Sequence, residues 1–171
     1  LHATTGSPPP AATVSRSPSP VSTDRFTAAN AKVSRSPSPF PTTMPTLEVF
    51  LPAGHDDARK AELIARLTGA TVDSIGAPTE SVRVLLTELP ATHIGLGGRS
   101  AADGAPPSLP VIVAILIAGR TDEQKRALIA ALSETSASVL DAPLQATRVI
   151  IKDIPNTDFG IGGQTARALG R

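Results

Sequence analysis

From Met44 onward, apolar residues fall into runs whose spacing changes from continuous to helical and back, and the order then repeats. Val111–Ile117 (VIVAILI) is a continuous apolar run, too short to span a bilayer and suited to a parallel strand buried on both faces. Its counterpart Leu47–Leu51 alternates more. A helix start follows each run: Thr121 with Gln124 three residues later reads as a capping box, and Asp56 can cap the earlier helix. Leu128, Ile129, Leu132, Val139 and Leu140 then recur at helical spacing, as do Leu63, Ile64, Leu67 and Ile75. Val82–Leu86 and Thr147–Ile151, aliphatic and β-branched, read as strands. The Gly-rich stretches Gly95–Gly98 and Gly160–Gly163 read as a turn or short hairpin.

The repetition is a duplication. At a shift of 65 residues, without a gap, Pro45 falls on Pro110, Gly54 on Gly119, Lys60 on Lys125, Arg83 on Arg148 and Pro90 on Pro155. Pro45–Arg99 against Pro110–Gln164 shows 19 identities in 55 positions. Two copies at this period predict paired modules and not a solenoid. The expected fold is α/β, with tandem duplicated β-α-β modules, each holding a parallel strand pair joined by a right-handed crossover. A module of about 55 residues is marginal alone. The copies are therefore expected to pack sheet to sheet as a pseudo-two-fold pair of sheets with helices on one face, and the fused chains to assemble further. The expected division is residues 44–99, a linker at 100–109 containing Ala105-Pro106-Pro107, and residues 110–171.

Residues 1–43 are a different polymer. Pro, Ser and Thr fill 23 of the 43 positions, and the heptapeptide VSRSPSP occurs at Val14–Pro20 and Val33–Pro39. Such a stretch buries too little apolar surface to offset its ordering entropy, and is expected to be disordered with polyproline II character. Serine beside Pro and Arg suggests a phosphorylation site, and a basic, Ser-rich, acid-poor segment suggests a transit peptide. The absent apolar h-region and the many prolines oppose targeting, so an unstructured leader or translated upstream region is the preferred reading. A cytoplasmic location is expected.

Composition narrows the chemistry. A formal charge of +1 exerts no global pull toward nucleic acid or membranes, and four Phe with no Trp or Tyr make a base-stacking platform improbable. The absence of Cys excludes disulfides, thiolate nucleophiles and Cys-based zinc sites, and His2, His55 and His93 are too scattered for a metal constellation. There is no G-x-S-x-G, P-loop or H-E-x-x-H pattern. What stands out is Pro at the first position of both copies, preceded in the first by Met44. Methionine before a small residue is usually removed after initiation, so a start at Met44 would leave Pro45 as a free secondary amine. Free α-amino groups titrate at roughly 7.7–8.0, and desolvation or nearby cations would lower this toward the range where general acid–base catalysis works best. The alternative is a proline merely permitted at the first residue of a strand. Arg83 and Arg148 recur within the second strands, where an Arg either lines a wet cleft or pairs with a carboxylate. Arg120, just after the first strand of copy two, is a further cation whose counterpart is His55. Such cations bind carboxylates and stabilise developing enolate charge.

Copy two, PVIVAILIAGRTDEQKRALI followed by DAPLQATRVII and FGIGG, closely resembles the 4-oxalocrotonate tautomerase family. Copy one (MPTLEVFL, APTESVRVLL, HIGLGG) is similar but more divergent. The resemblance spans residues 44–164 and implies a tautomerase-like fold in which two family subunits became one chain. It implies an isomerase interconverting enol and keto forms of a small 2-oxo acid, without cofactor or metal. Pro45 would be the base, with Arg83, Arg120, Arg148 and Phe159 as substrate-binding residues; copy one has His55 and Ile94 where copy two has Arg120 and Phe159. Pro110 is an amide within the chain and has no basic lone pair. Histidine at position 55 would make carboxylate binding depend on pH near ~6.5. The implied partner is a small 2-oxo or enol carboxylate, and the implied assembly a trimer of fused chains. Hydration, dehalogenation or decarboxylation by the same proline, or a non-catalytic binding or structural relic if Pro45 is not a free amine, are the alternatives.

Overall fold

The computed structural model describes residues 44–104 and 109–171. The Pro/Ser/Thr-rich segment and Ala105–Pro107, with the disorder and linker expected there, lie outside the described residues. Two copies of strand, helix, strand and hairpin follow one another. The first holds β1 (Thr46–Pro52), α1 (Asp57–Ile75), β2 (Arg83–Leu89) and the hairpin strands β3 (Gly95–Leu96) and β4 (Arg99–Ser100). The second holds β5 (Val111–Ile117), α2 (Asp122–Leu140), β6 (Arg148–Ile154), β7 (Gly160–Ile161) and β8 (Gln164–Thr165). Short 3-10 turns precede β2, follow it, follow β4 and precede β6. The turn Ala101–Asp103 carries regular structure into the stretch expected to be linker.

Local chemistry accounts for the helix limits. The Asp56 carboxylate accepts the Arg59 N–H at 2.7 Å. Thr121 and Gln124 form the reciprocal capping box: the Gln124 N–H donates to the Thr121 hydroxyl at 3.3 Å, and the Thr121 N–H to Gln124 Oε1 at 3.1 Å. α1 stops at Gly76 in the left-handed conformation (φ 66°), which glycine adopts without steric cost. α2 stops at Asp141 in the same conformation (φ 50°), the one non-glycine with positive φ among the described residues. Leu63, Leu67, Thr71 and Ile75 make the buried stripe of α1, and Leu128, Leu132, Ser136, Val139 and Leu140 that of α2. Ile64 and Ile129, also at helical spacing, lie outside these stripes at 40% exposure.

The modules join edge to edge, not face to face. The sheet order is β2-β1-β5-β6, with β1 parallel to β2, β5 parallel to β6, and β1 antiparallel to β5. Sheet-to-sheet packing was the sequence expectation. The structure instead gives one four-stranded sheet, because a two-stranded β-α-β unit leaves the ladder groups of its first strand unpaired, and pairing two such edges satisfies both. Both helices then cover one face. Leu47, Val49, Leu51, Ile112, Ala114 and Leu116 meet Leu63, Leu67, Leu128 and Leu132 in a single core. On the opposite face Leu85 and Ile150, equivalent in the two copies, stay 48% and 49% exposed.

Leu67 has no solvent exposure. Leu67→Ala is expected to cost about 2–5 kcal/mol of unfolding free energy, the usual range for a core truncation that leaves a cavity, as measured by chemical denaturation.

Candidate active site

The antiparallel register decides which residues meet each proline. Thr46 lies opposite Ile115 and Phe50 opposite Val111. Carried on by one residue, the ladder brings Pro45 level with Leu116 and Pro110 level with Leu51. Each proline therefore sits at the end of the sheet where the other module's first strand finishes.

At the Pro45 end, Pro45 is buried and its carbonyl accepts the Arg83 N–H at 2.9 Å. The Arg83 side chain, on an edge strand, is exposed. From the other module comes Arg120, three residues beyond the end of β5. Its Nη1 donates to the Ile117 carbonyl at 2.7 Å, while Nη2 is shielded from solvent with no hydrogen-bond partner among the described residues. Burial pushes the Arg120 guanidinium below the usual arginine range, and the nearby Asp153 carboxylate opposes that shift. A partly desolvated guanidinium with Nη2 unengaged among the described residues has the chemistry to pair with an anion.

The second hairpin reaches the same end, since it follows β6, which runs parallel to β5 and finishes beside Ile117. Phe159, half-buried, accepts the Ala166 N–H on its carbonyl at 2.8 Å. The last residues fold back: Asn156 Nδ2 donates to the Arg171 carbonyl at 2.9 Å, and Arg171 Nη1 lies 3.4 Å from Met44 Sδ. Arg171 thus brings another cation to the start of β1. Sequence reading missed it, because the repeat pairs it with Pro106 and no motif marks it.

The Pro110 end collects the other candidates. The Pro110 carbonyl accepts the Arg148 N–H at 2.9 Å, and Arg148 Nη1 donates to the carbonyls of Gln145 and Thr147 at 2.5 and 2.9 Å. His55 and Pro110 line one cavity of about 440 Å³. Ile94, in the place of Phe159, is 8% exposed. The loop bearing His55 is anchored from behind: the Gly54 N–H donates to Glu88 Oε1 at 3.2 Å, and Lys60 Nζ donates to Glu88 Oε2 at 2.9 Å. The equivalent pair in copy two is Lys125 with Asp153. The Lys60 ammonium, then the Gly54 N–H, hold the Glu88 carboxyl below the usual carboxylate range, and Glu88, then Asp57, raise Lys60. Of the six candidates, Pro45, Arg83, Arg120 and the segment carrying Phe159 share one end of the sheet; His55 and Arg148 lie at the other. Among the described residues no cluster of three His, Cys, Asp or Glu is placed to hold a metal, and no helix is long and apolar enough to cross a membrane.

A family model described as tautomerase enzyme matches the chain twice, over residues 45–104 and 110–168. The chain belongs to the tautomerase family of enzymes, in a tandem form of two family modules, and is an isomerase. It is 48% identical over 63 residues to the 2-hydroxymuconate tautomerase of Stutzerimonas stutzeri, a match covering 37% of this chain and all of that one. Among solved structures it resembles native fused 4-OT at 98% identity, with a TM-score of 0.72, covering 74% of this chain and 99% of that one. It also resembles the fused 4-OT designated F6, described as a wild-type asymmetric trimer, at 76% identity, with a TM-score of 0.69 and the same coverage.

The anchored loop at the Pro110 end makes a pH-dependent contribution to stability. A carboxyl held low in the folded state stabilises above its ordinary range, and the contribution is lost as pH falls through the folded-state value. Glu88→Gln is therefore expected to lower the melting temperature at pH 7, with the difference from the parent chain closing as pH drops below about 4, in paired thermal melts across pH.

Proposed function

We propose that the chain interconverts enol and keto forms of a small 2-oxo acid without a cofactor, using Pro45 as an N-terminal base after loss of Met44. The observation that carries this reading is the partly buried Arg120 guanidinium, its Nη2 shielded and without a partner among the described residues, at the end of the sheet where β1 begins after Pro45. The neutral amine takes the enol O–H proton, and the resulting ammonium returns it to carbon, so one O–H bond breaks and one C–H bond forms. Arg120 and Arg83 hold the substrate carboxylate and the oxygen on which enolate charge develops. Phe159 keeps the pocket apolar, which favours the neutral amine. Native fused 4-OT, 98% identical to this chain over the matched part, supports the two-module unit as the working enzyme. Relatives named for 2-hydroxymuconate support a dicarboxylate enol as substrate.

Assembly into a trimer of chains belongs to the same reading. The face of the sheet away from the helices leaves Leu85 and Ile150 half-exposed, and the F6 relative is described as a trimer. Burial of that face against other copies would also let Arg148 of one chain approach the Pro45 pocket of the next.

In a chain beginning at Pro45, Pro45→Ala is expected to lower kcat for ketonisation of 2-hydroxymuconate by about 10²–10⁴-fold with the fold intact by circular dichroism; unchanged turnover would sink the mechanism. Arg120→Gln is expected to lower kcat/KM by about 10²–10³-fold, and His55→Gln to change it less than about twofold. The same chain carrying residues 1–44 should be inactive. Replacing Leu85 and Ile150 together by Asp should convert the trimer to monomer in sedimentation.

A further inference from the structure

The turn after β8 brings a cation back to the start of β1. The Gly170 N–H donates to the Arg167 carbonyl at 3.0 Å, and the Arg171 N–H to the Ala166 carbonyl at 2.8 Å. With Gly170 left-handed at φ 74°, these are the two bonds of a Schellman turn, which reverses the backbone where glycine carries no steric cost. Asn156 grips both sides of the turn. Its carbonyl accepts the Arg167 N–H at 3.0 Å, and its Nδ2 donates to the Arg171 carbonyl at 2.9 Å. Ala166, at the base of the turn, is fully buried. The half-buried Arg171 side chain is thereby brought to Met44, with Nη1 lying 3.4 Å from Sδ.

Met44 is the residue whose loss frees the Pro45 nitrogen. Arg171 therefore stands within one side chain's length of the atom that becomes the amine. Copy one has no counterpart of this arginine, since the repeat places Pro106 at the equivalent position. A fixed positive charge beside an amine opposes its protonation. Arg83 and Arg120 add to the same field, and Arg167 lies in the turn itself. The carboxylates on neighbouring elements oppose it: Glu48 on β1, Glu80 before β2, Asp158 before β7, and Asp153 on β6, the last paired with Lys125. Each of these, and the main-chain carboxyl of residue 171, stays in place when the Arg171 side chain alone is replaced.

We propose that Arg171 is a positioning residue for the proton shuttle: held by the Gly170 turn and by Asn156, its guanidinium keeps the Pro45 amine neutral at pH values where it would otherwise be protonated. This role rests on the reading of Pro45 as a free amine.

The test uses the chain beginning at Pro45, which keeps every strand and helix of the fold. Its prolines are isotopically labelled, and the Pro45 nitrogen resonance is followed across pH; the other prolines are amides and do not titrate. Arg171→Gln is expected to raise the midpoint of that titration by about half a pH unit or more, and Arg171→Lys to keep it within about 0.3 of the parent. Gly170→Val keeps every charge but strains the turn, and is expected to move the midpoint in the same direction as Arg171→Gln. The acid limb of the kcat/KM profile should follow, so that Arg171→Gln loses about threefold or more on that limb and matches the parent on the alkaline side. An unchanged midpoint in Arg171→Gln would overturn the proposal. So would a loss of kcat/KM equal at every pH, which would make Arg171 a carboxylate-binding group, and so would an equal rise in the Lys variant, which would mark a merely structural effect. A midpoint that moves while the acid limb stays would remove Pro45 as the base and leave the effect of Arg171 on the amine standing.

Discussion

The pairing of β1 with β5 is the constraint on which the rest of the structure depends. Five residue pairs, from Thr46 with Ile115 to Phe50 with Val111, turn two marginal β-α-β units into one sheet with a common core. Because the pairing is antiparallel, it also carries each module's proline to the far end of the other module's first strand. Neither module could build a pocket around its own proline from its own loop. The loop after β1 is spent on Pro110, and the loop after β5 on the end where Pro45 lies.

Fusion makes this exchange unequal. In a pair of identical subunits both ends would be the same; in one chain the two ends draw on different loops and have diverged. The end at Pro45 has Arg120, whose shielded Nη2 has no partner among the described residues, and a C-terminal segment pinned through Asn156 so that Arg171 reaches Met44. The end at Pro110 has His55 on a loop held by Glu88, a carboxylate at the close of α2, and a proline whose nitrogen is an amide. The copy that follows the family pattern more closely supplies the loop at Pro45, and the more divergent copy supplies the loop at Pro110.

The open face of the sheet completes the picture. The helices take one side of all four strands, and the equivalent Leu85 and Ile150 keep apolar surface on the other. β5, central in the sheet, also buries Val113 and Ile117, which do not belong to the helix-facing core. Its continuous apolar run is thus matched by burial on both sides.

Much of the architecture was legible in the sequence because its causes are local. The Asp56 cap, the Thr121–Gln124 box, the helical stripes, the glycine hairpins and β5 itself follow from side-chain chemistry within a few residues. β2 and β6 ran three residues past their expected ends because Thr87-Glu88 and Lys152-Asp153 look unlike strand, while pairing with β1 and β5 holds their backbone extended. The resemblance named Pro45, Arg83, Arg120, Arg148, His55 and Phe159 without showing how they divide. Only the tertiary structure decided that Arg120 lies with Pro45 while His55 and Arg148 lie with Pro110, and that Arg171 reaches Met44. The reason is physical: helix caps and periodicity act over one or two turns. The partner of a proline, by contrast, is chosen by which strand edge finds the other and in what direction, and no residue spacing encodes that.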